Sequence, residues 1–146
     1  MSVNLTPEQK RNLVRILKQI SLGCDLEALA VVNTEGMKVA FFSEKGRVDP
    51  DLMSAVSSAI LNTGKMVTSN LDHGGLEQVI IRGEKGFTIL ANAGDYILIG
   101  ASRDLHNVGL AMQVIRRYVP DVINIFSVWT STVCKDRGFF LQIRKY

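Results

Sequence analysis

Residues 76–102 read LEQVIIRGEKGFTILANAGDYILIGAS. Three apolar runs, Leu76 to Arg82, Phe87 to Asn92 and Tyr96 to Ser102, are separated by Gly83-Glu84-Lys85-Gly86 and Ala93-Gly94-Asp95. Connections this short join only antiparallel neighbours, so the stretch predicts a three-stranded meander. Upstream, Leu26 to Asn33 and Met37 to Ser43 flank Thr34-Glu35-Gly36, a hairpin-length link with a glycine where positive φ is expected. These strands are apolar on both faces, Ala28, Ala30 and Val32 against Leu29 and Val31, so the sheet must be covered on both sides.

Helices supply the cover. Thr6, Pro7 and Gln9 form a capping box before Leu13, Ile16, Leu17 and Ile20, which predicts a helix over residues 7–21 with Gly23 at its stop. A second helix follows Asp49-Pro50-Asp51 and runs to about Ser69. From Leu52 to Leu71 its only charge is Lys65, and small residues such as Ser54, Ala55, Ser57 and Ser58 recur along it. A helix without a charged face predicts a second apolar contact, here across a subunit interface. A third helix opens at Asp104 or Asn107, carries Leu105, Val108, Ala111, Met112, Ile115 and Val119 on one face, and is expected to stop at Pro120.

The order helix, strand, strand, helix, strand, strand, strand, helix makes an α/β fold of the α+β type. It is an antiparallel five-stranded sheet with helices on both faces, and the second helix crosses the sheet between the strand groups. Residues 1–120 are taken as one domain and 121–146 as a C-terminal extension. In the extension, Ile123 to Val133 alternates, Lys135 to Gly138 suggests a turn, and Phe139 to Arg144 suggests a returning strand; together they predict a β-hairpin.

Composition bounds the function. The chain has 146 residues, 47% of them hydrophobic, with mean hydropathy +0.15 and formal net charge +3. That is one domain with ample core, and no apolar run is long enough to span a bilayer. Two cysteines make no disulfide framework and no secretory signal is visible, so a cytoplasmic location is expected. The last 44 residues carry seven cations against three acids, too dilute a stripe for nucleic acid. No phosphate-binding glycine loop is present. His73, His106, Cys24 and Cys134 lack metal-ligand spacing, and nothing brings Cys24 and His73 together as a nucleophile and base. No catalytic residue, cofactor or metal is assigned.

Three stretches resemble the roadblock/dynein-light-chain family: Asp25 to Gly36, as an apolar strand, acidic turn and glycine; the small-residue helix after Asp49; and the meander with Gly94-Asp95-Tyr96 before its last strand. The resemblance covers about residues 7–120. It implies dimerisation through the second helix and third strand, as a homodimer or with a second roadblock-type chain, and a signalling platform for a Ras-like small GTPase. Some relatives activate GTP hydrolysis without donating an arginine; others are scaffolds or dynein adaptors. On this basis Met53, Ser57, Leu61, Gly64, Leu76, Gln78 and Ile80 are assigned to the dimer interface, so that Met53→Glu or Leu61→Glu is expected to dissociate it. Arg82, Lys85 and Arg103 are candidate GTPase contacts. The alternative is a small-molecule sensory module of PAS- or GAF-like architecture.

Overall fold

The computed structural model describes residues 5–44 and 49–136, with side chains through residue 126. The elements are α1 (Pro7–Cys24), β1 (Ala28–Asn33), β2 (Lys38–Ser43), α2 (Pro50–Asn70), β3 (Gln78–Gly83), β4 (Gly86–Ala93), β5 (Tyr96–Ser102), a single 3-10 turn (Leu105–Asn107) and α3 (Val108–Asp136). All strand pairs are antiparallel, in the order β2-β1-β5-β4-β3. β2 and β3 are therefore the two edges, and α2 carries the chain from one to the other.

Local chemistry sets the boundaries. Thr6 accepts from the Gln9 amide while the Gln9 side chain accepts from the Thr6 amide, closing the capping box at the start of α1. The helix ends later than Gly23, at Cys24, because Asp25 adopts the left-handed conformation (φ 53°) and donates its amide to the Ser21 carbonyl. Gly36 has φ 86° in the β1–β2 turn, the positive value expected there. Asp49 caps α2 through the amides of Asp51 and Leu52.

The sheet divides two cores. On one face α1 and α3 bury Leu13, Leu17 and Ile20 with Leu29, Val31, Ile89 and Leu98. On the other, α2 lies over Ala30, Val32, Leu90, Ile97 and Ile99. The central strands read as apolar on both sides because both sides are covered.

The C-terminal part differs from the expected hairpin. α3 does not stop at Pro120 but continues as helix to Asp136. Ile115, Val119, Val122 and Phe126 repeat at helical spacing; Val122 is fully buried and Phe126 stacks on Tyr96, with ring centroids 3.6 Å apart at 9°. The Gln9 side chain also donates to the Ile125 carbonyl at 3.3 Å. An interior proline costs about 3 kcal/mol, and burying a side chain such as Val122 returns about 1.5–3 kcal/mol. The helical stripe therefore outweighs the local break. Lys135 and Asp136 belong to the helix, and the expected strand Phe139 to Arg144 lies outside the described residues. Pro120→Ala restores the amide donor facing the Arg116 carbonyl, and is expected to stabilise the fold by about 1–3 kcal/mol, read as a higher thermal midpoint.

Candidate functional site

The surface that stands out is formed by α2 and the edge strand β3. α2 is apolar on most of its circumference, so its packing decides which side is left open. The inward side holds Ser54, Ser57 and Leu61, exposed by only 2%, 4% and 1%. Both serines are small enough to let the helix approach the sheet, and each hydroxyl donates to the carbonyl four residues back, on Pro50 and Met53. Ser58 donates to the Thr34 carbonyl and ties the helix to the β1–β2 turn. A Cβ on Gly64 would lie 3.0 Å from Val79 Cγ2 and 3.1 Å from Leu76 Cδ2, so this glycine allows close approach of α2 to the β3 side of its own sheet.

This placement changes the interface assignment made from sequence. Ser57 and Leu61 point into the protomer's own core, and Gly64 meets Leu76 and Val79 of the same chain. Leu76 packs under α2, while Gln78 turns to the opposite face and donates to the Met112 carbonyl at 3.0 Å. Met53 is half-buried on the rim of a groove, and Ile80 is exposed on the edge strand. Of the seven residues, Ser57 and Leu61 are closed to a partner, Met53, Gly64, Leu76 and Gln78 are half-buried, and Ile80 is exposed.

The outward side of α2 carries Leu52, Val56, Met66 and Val67, exposed by 63%, 46%, 64% and 49%. A shallow groove lined by Leu52, Val56, Ile60 and Ile81 connects this stripe to β3. Within α2 the charged residues are Asp51, at its start, and Lys65. Among the described residues nothing pairs with the outer edge of β3. An apolar helix face beside an open strand edge is a surface that folded chains normally cover. Sequence periodicity finds this stripe, Leu52, Val56, Ile60 and Val67, as readily as the adjacent one, Met53, Ser57, Leu61 and Gly64, and cannot rank them; the distinguishing signal was Gly64, whose role appears only once Leu76 and Val79 are in place.

The three candidate cations lie at or near one end of the sheet. Arg82 is exposed near the end of β3, Lys85 is exposed in the β3–β4 turn, and Arg103 follows β5. The register Phe87↔Ser102 brings the last two elements side by side. Arg103 Nε stands 4.0 Å from Glu27 Oε2, and the two residues border a small surface hollow with Gly86 and Phe87.

Cys24 is buried and donates to the Ile20 carbonyl at 3.1 Å. Burial foremost, and then the charge of Asp25, push its thiol up to about 11, so it stays protonated at neutral pH. It belongs to the core beneath α1, whereas His73 sits in the exposed loop beyond α2. Among the described residues no group of three or more His, Cys, Asp or Glu is placed to hold a metal ion. No described helix is long and apolar enough to cross a membrane.

Comparison with known proteins agrees with this architecture. An uncharacterized protein of Methanocaldococcus jannaschii is 29% identical over 112 residues, covering 77% of this chain and 94% of the relative. The structure of MglB from Myxococcus xanthus superposes with a TM-score of 0.77 at 11% identity, over 87% of this chain and 96% of that one. The gliding protein MglB of Thermus thermophilus does so with a TM-score of 0.72 at 14% identity, over 85% and 95%. Residues 25–102, from the cap of α1 to the end of β5, match the Roadblock/LC7 domain, and the chain belongs to the Roadblock/LC7 family.

Proposed function

We propose that this chain is a non-catalytic regulator that pairs with a second copy of itself through α2 and β3, the dimer serving as a cytoplasmic platform for a Ras-like small GTPase. The carrying observation is the open apolar surface of α2, where Leu52 and Val56 meet Ile81 across the groove, beside a strand edge that no described residue pairs with. Membership of the Roadblock/LC7 family supports the reading, which is the role that the resemblance implies. So does the similarity to an MglB structure described as a tetrameric arrangement, with a TM-score of 0.77 at 12% identity. Pairing two β3 edges would extend the sheets across the dimer and bring the two α2 helices together.

The chain would act on hydrolysis by holding the GTPase's own groups in place, which is how phosphoryl transfer is accelerated where no new chemistry is supplied. Lys85 and Arg103, with Arg82 near them, are the cations offered to the acidic partner or its nucleotide. Immobilised chain is expected to retain a Ras-like GTPase from extract of its own cells loaded with a non-hydrolysable GTP analogue, and not from extract loaded with GDP. The double variant Lys85→Glu/Arg103→Glu is expected to weaken retention by about tenfold. Absence of any GTPase from both extracts would contradict the reading. A GTP turnover assay with the recovered partner then separates an activator from a scaffold.

A further inference from the structure

The charge of the first 102 residues nearly cancels, but its distribution on the surface does not. Four of the ten cations in that part of the chain, Lys10, Arg11, Arg15 and Lys18, stand together on the outward side of α1, around Val14. At helical spacing Arg11, Arg15 and Lys18 are opposite Leu13, Leu17 and Ile20, which are fully buried, while Lys10 is exposed at the flank in the first turn. Leu22 falls between Arg11 and Arg15 on the same projection and is 84% exposed, the most open of the large apolar side chains described. None of the four cations forms an ion pair with a described residue. The acids nearest in the helix are Glu8, before the stripe, and Asp25, in the cap beyond it. On the adjoining α3, Arg117 adds a further exposed cation and Asp121 an acid.

We infer that this face is a docking surface for an anionic lipid bilayer. Residues 10–22 run about 18 Å along the helix, and the helix lies against the sheet so that this length faces outward. The cations and Val14 border a hollow that is broadly open to solvent. The face carries no aromatic side chain among its cations to stack on the bases of a nucleic acid. It does carry aliphatic groups, Val14 among the cations and Leu22 one turn beyond Lys18. That is the composition with which a helix settles into a headgroup layer, its basic side chains on the phosphates and its aliphatic groups below them. α1 is on the opposite side of the sheet from α2. A dimer built on α2 and β3 therefore leaves both copies of the face open, but the inference requires only the single chain.

The test is flotation of the full chain with phosphatidylcholine vesicles, with and without roughly one-third phosphatidylserine. The expected result is co-flotation with the phosphatidylserine vesicles alone, abolished by high salt. Arg11→Glu/Arg15→Glu is expected to weaken it by about tenfold or more, and Leu22→Ser by about threefold at unchanged charge. All three side chains concerned are on the surface, so circular dichroism and sedimentation should match the unmodified chain. That separates failure here from failure of the dimer. Equal partition onto both vesicle types, or indifference to the charge reversal, would overturn the inference. Uptake of duplex DNA or polyglutamate as strong as that of the vesicles, unchanged by Leu22→Ser, would overturn it in favour of a lipid-free polyanion or another protein.

Discussion

Val56→Glu is expected to leave the protein a folded monomer at concentrations where the proposed dimer of the unmodified chain is expected. Val56 is 46% exposed on the protomer and lines the groove that joins α2 to Ile81. Its replacement by glutamate leaves the protomer's own core untouched, since the inward contacts of α2 run through Ser54, Ser57 and Leu61. In a two-fold dimer the change occurs twice on the same apolar surface, and each carboxylate loses water without gaining a partner cation. A loss of about 3–5 kcal/mol in association is expected, enough to remove the dimer from a sedimentation profile while the circular dichroism spectrum is retained. A variant that still sediments as a dimer would exclude this face of α2 from the interface.

The neighbouring change Leu61→Ala should act on the protomer instead. Leu61 is 1% exposed and packs with Ala30, Val32, Leu90, Ile97 and Ile99. Truncating a buried leucine removes its transfer energy and leaves a cavity, at a cost of about 2–5 kcal/mol. Against a total stability of about 5–15 kcal/mol for a domain, that is a large fraction, read as a lower denaturant midpoint. Leu61→Glu, which the sequence suggested would separate subunits, is expected to abolish folding, because the carboxylate would enter the core beneath α2. The contrast between positions 56 and 61 distinguishes the two sides of one helix. Dissociation without loss of stability on changing Leu61 would reverse the assignment of those sides.

The difference between these residues shows where sequence reasoning ran out. Strand positions were legible because alternation, tight turns and glycines agree locally: Gly36 does take the positive φ expected of it, and Tyr96 to Ser102 is a strand over the whole of its expected span. The two-sided covering of the sheet followed from β1, whose residues 28–32 are all buried. Within α2, however, Leu52, Val56 and Val67 form as good a stripe as Met53, Ser57 and Leu61, and periodicity cannot rank them. The choice is made by the space between α2 and β3, which Gly64 opens and Leu76 and Val79 fill. The same limit applied after Pro120. There apolar and polar residues are interleaved so that period two and period 3.6 both fit, and only the contacts of Val122 with the core and of Phe126 with Tyr96 decide for helix. The basic face of α1 escaped notice for a different reason, since net charge over a long segment averages away what one helix face concentrates.

The platform account rests on self-association, and sedimentation equilibrium of the unmodified full chain over a range of concentrations tests it most directly. The expected result is a species of twice the 16.1 kDa chain mass. A single species of 16.1 kDa at every concentration would contradict it, and the open face of α2 would then have to be covered by a different chain.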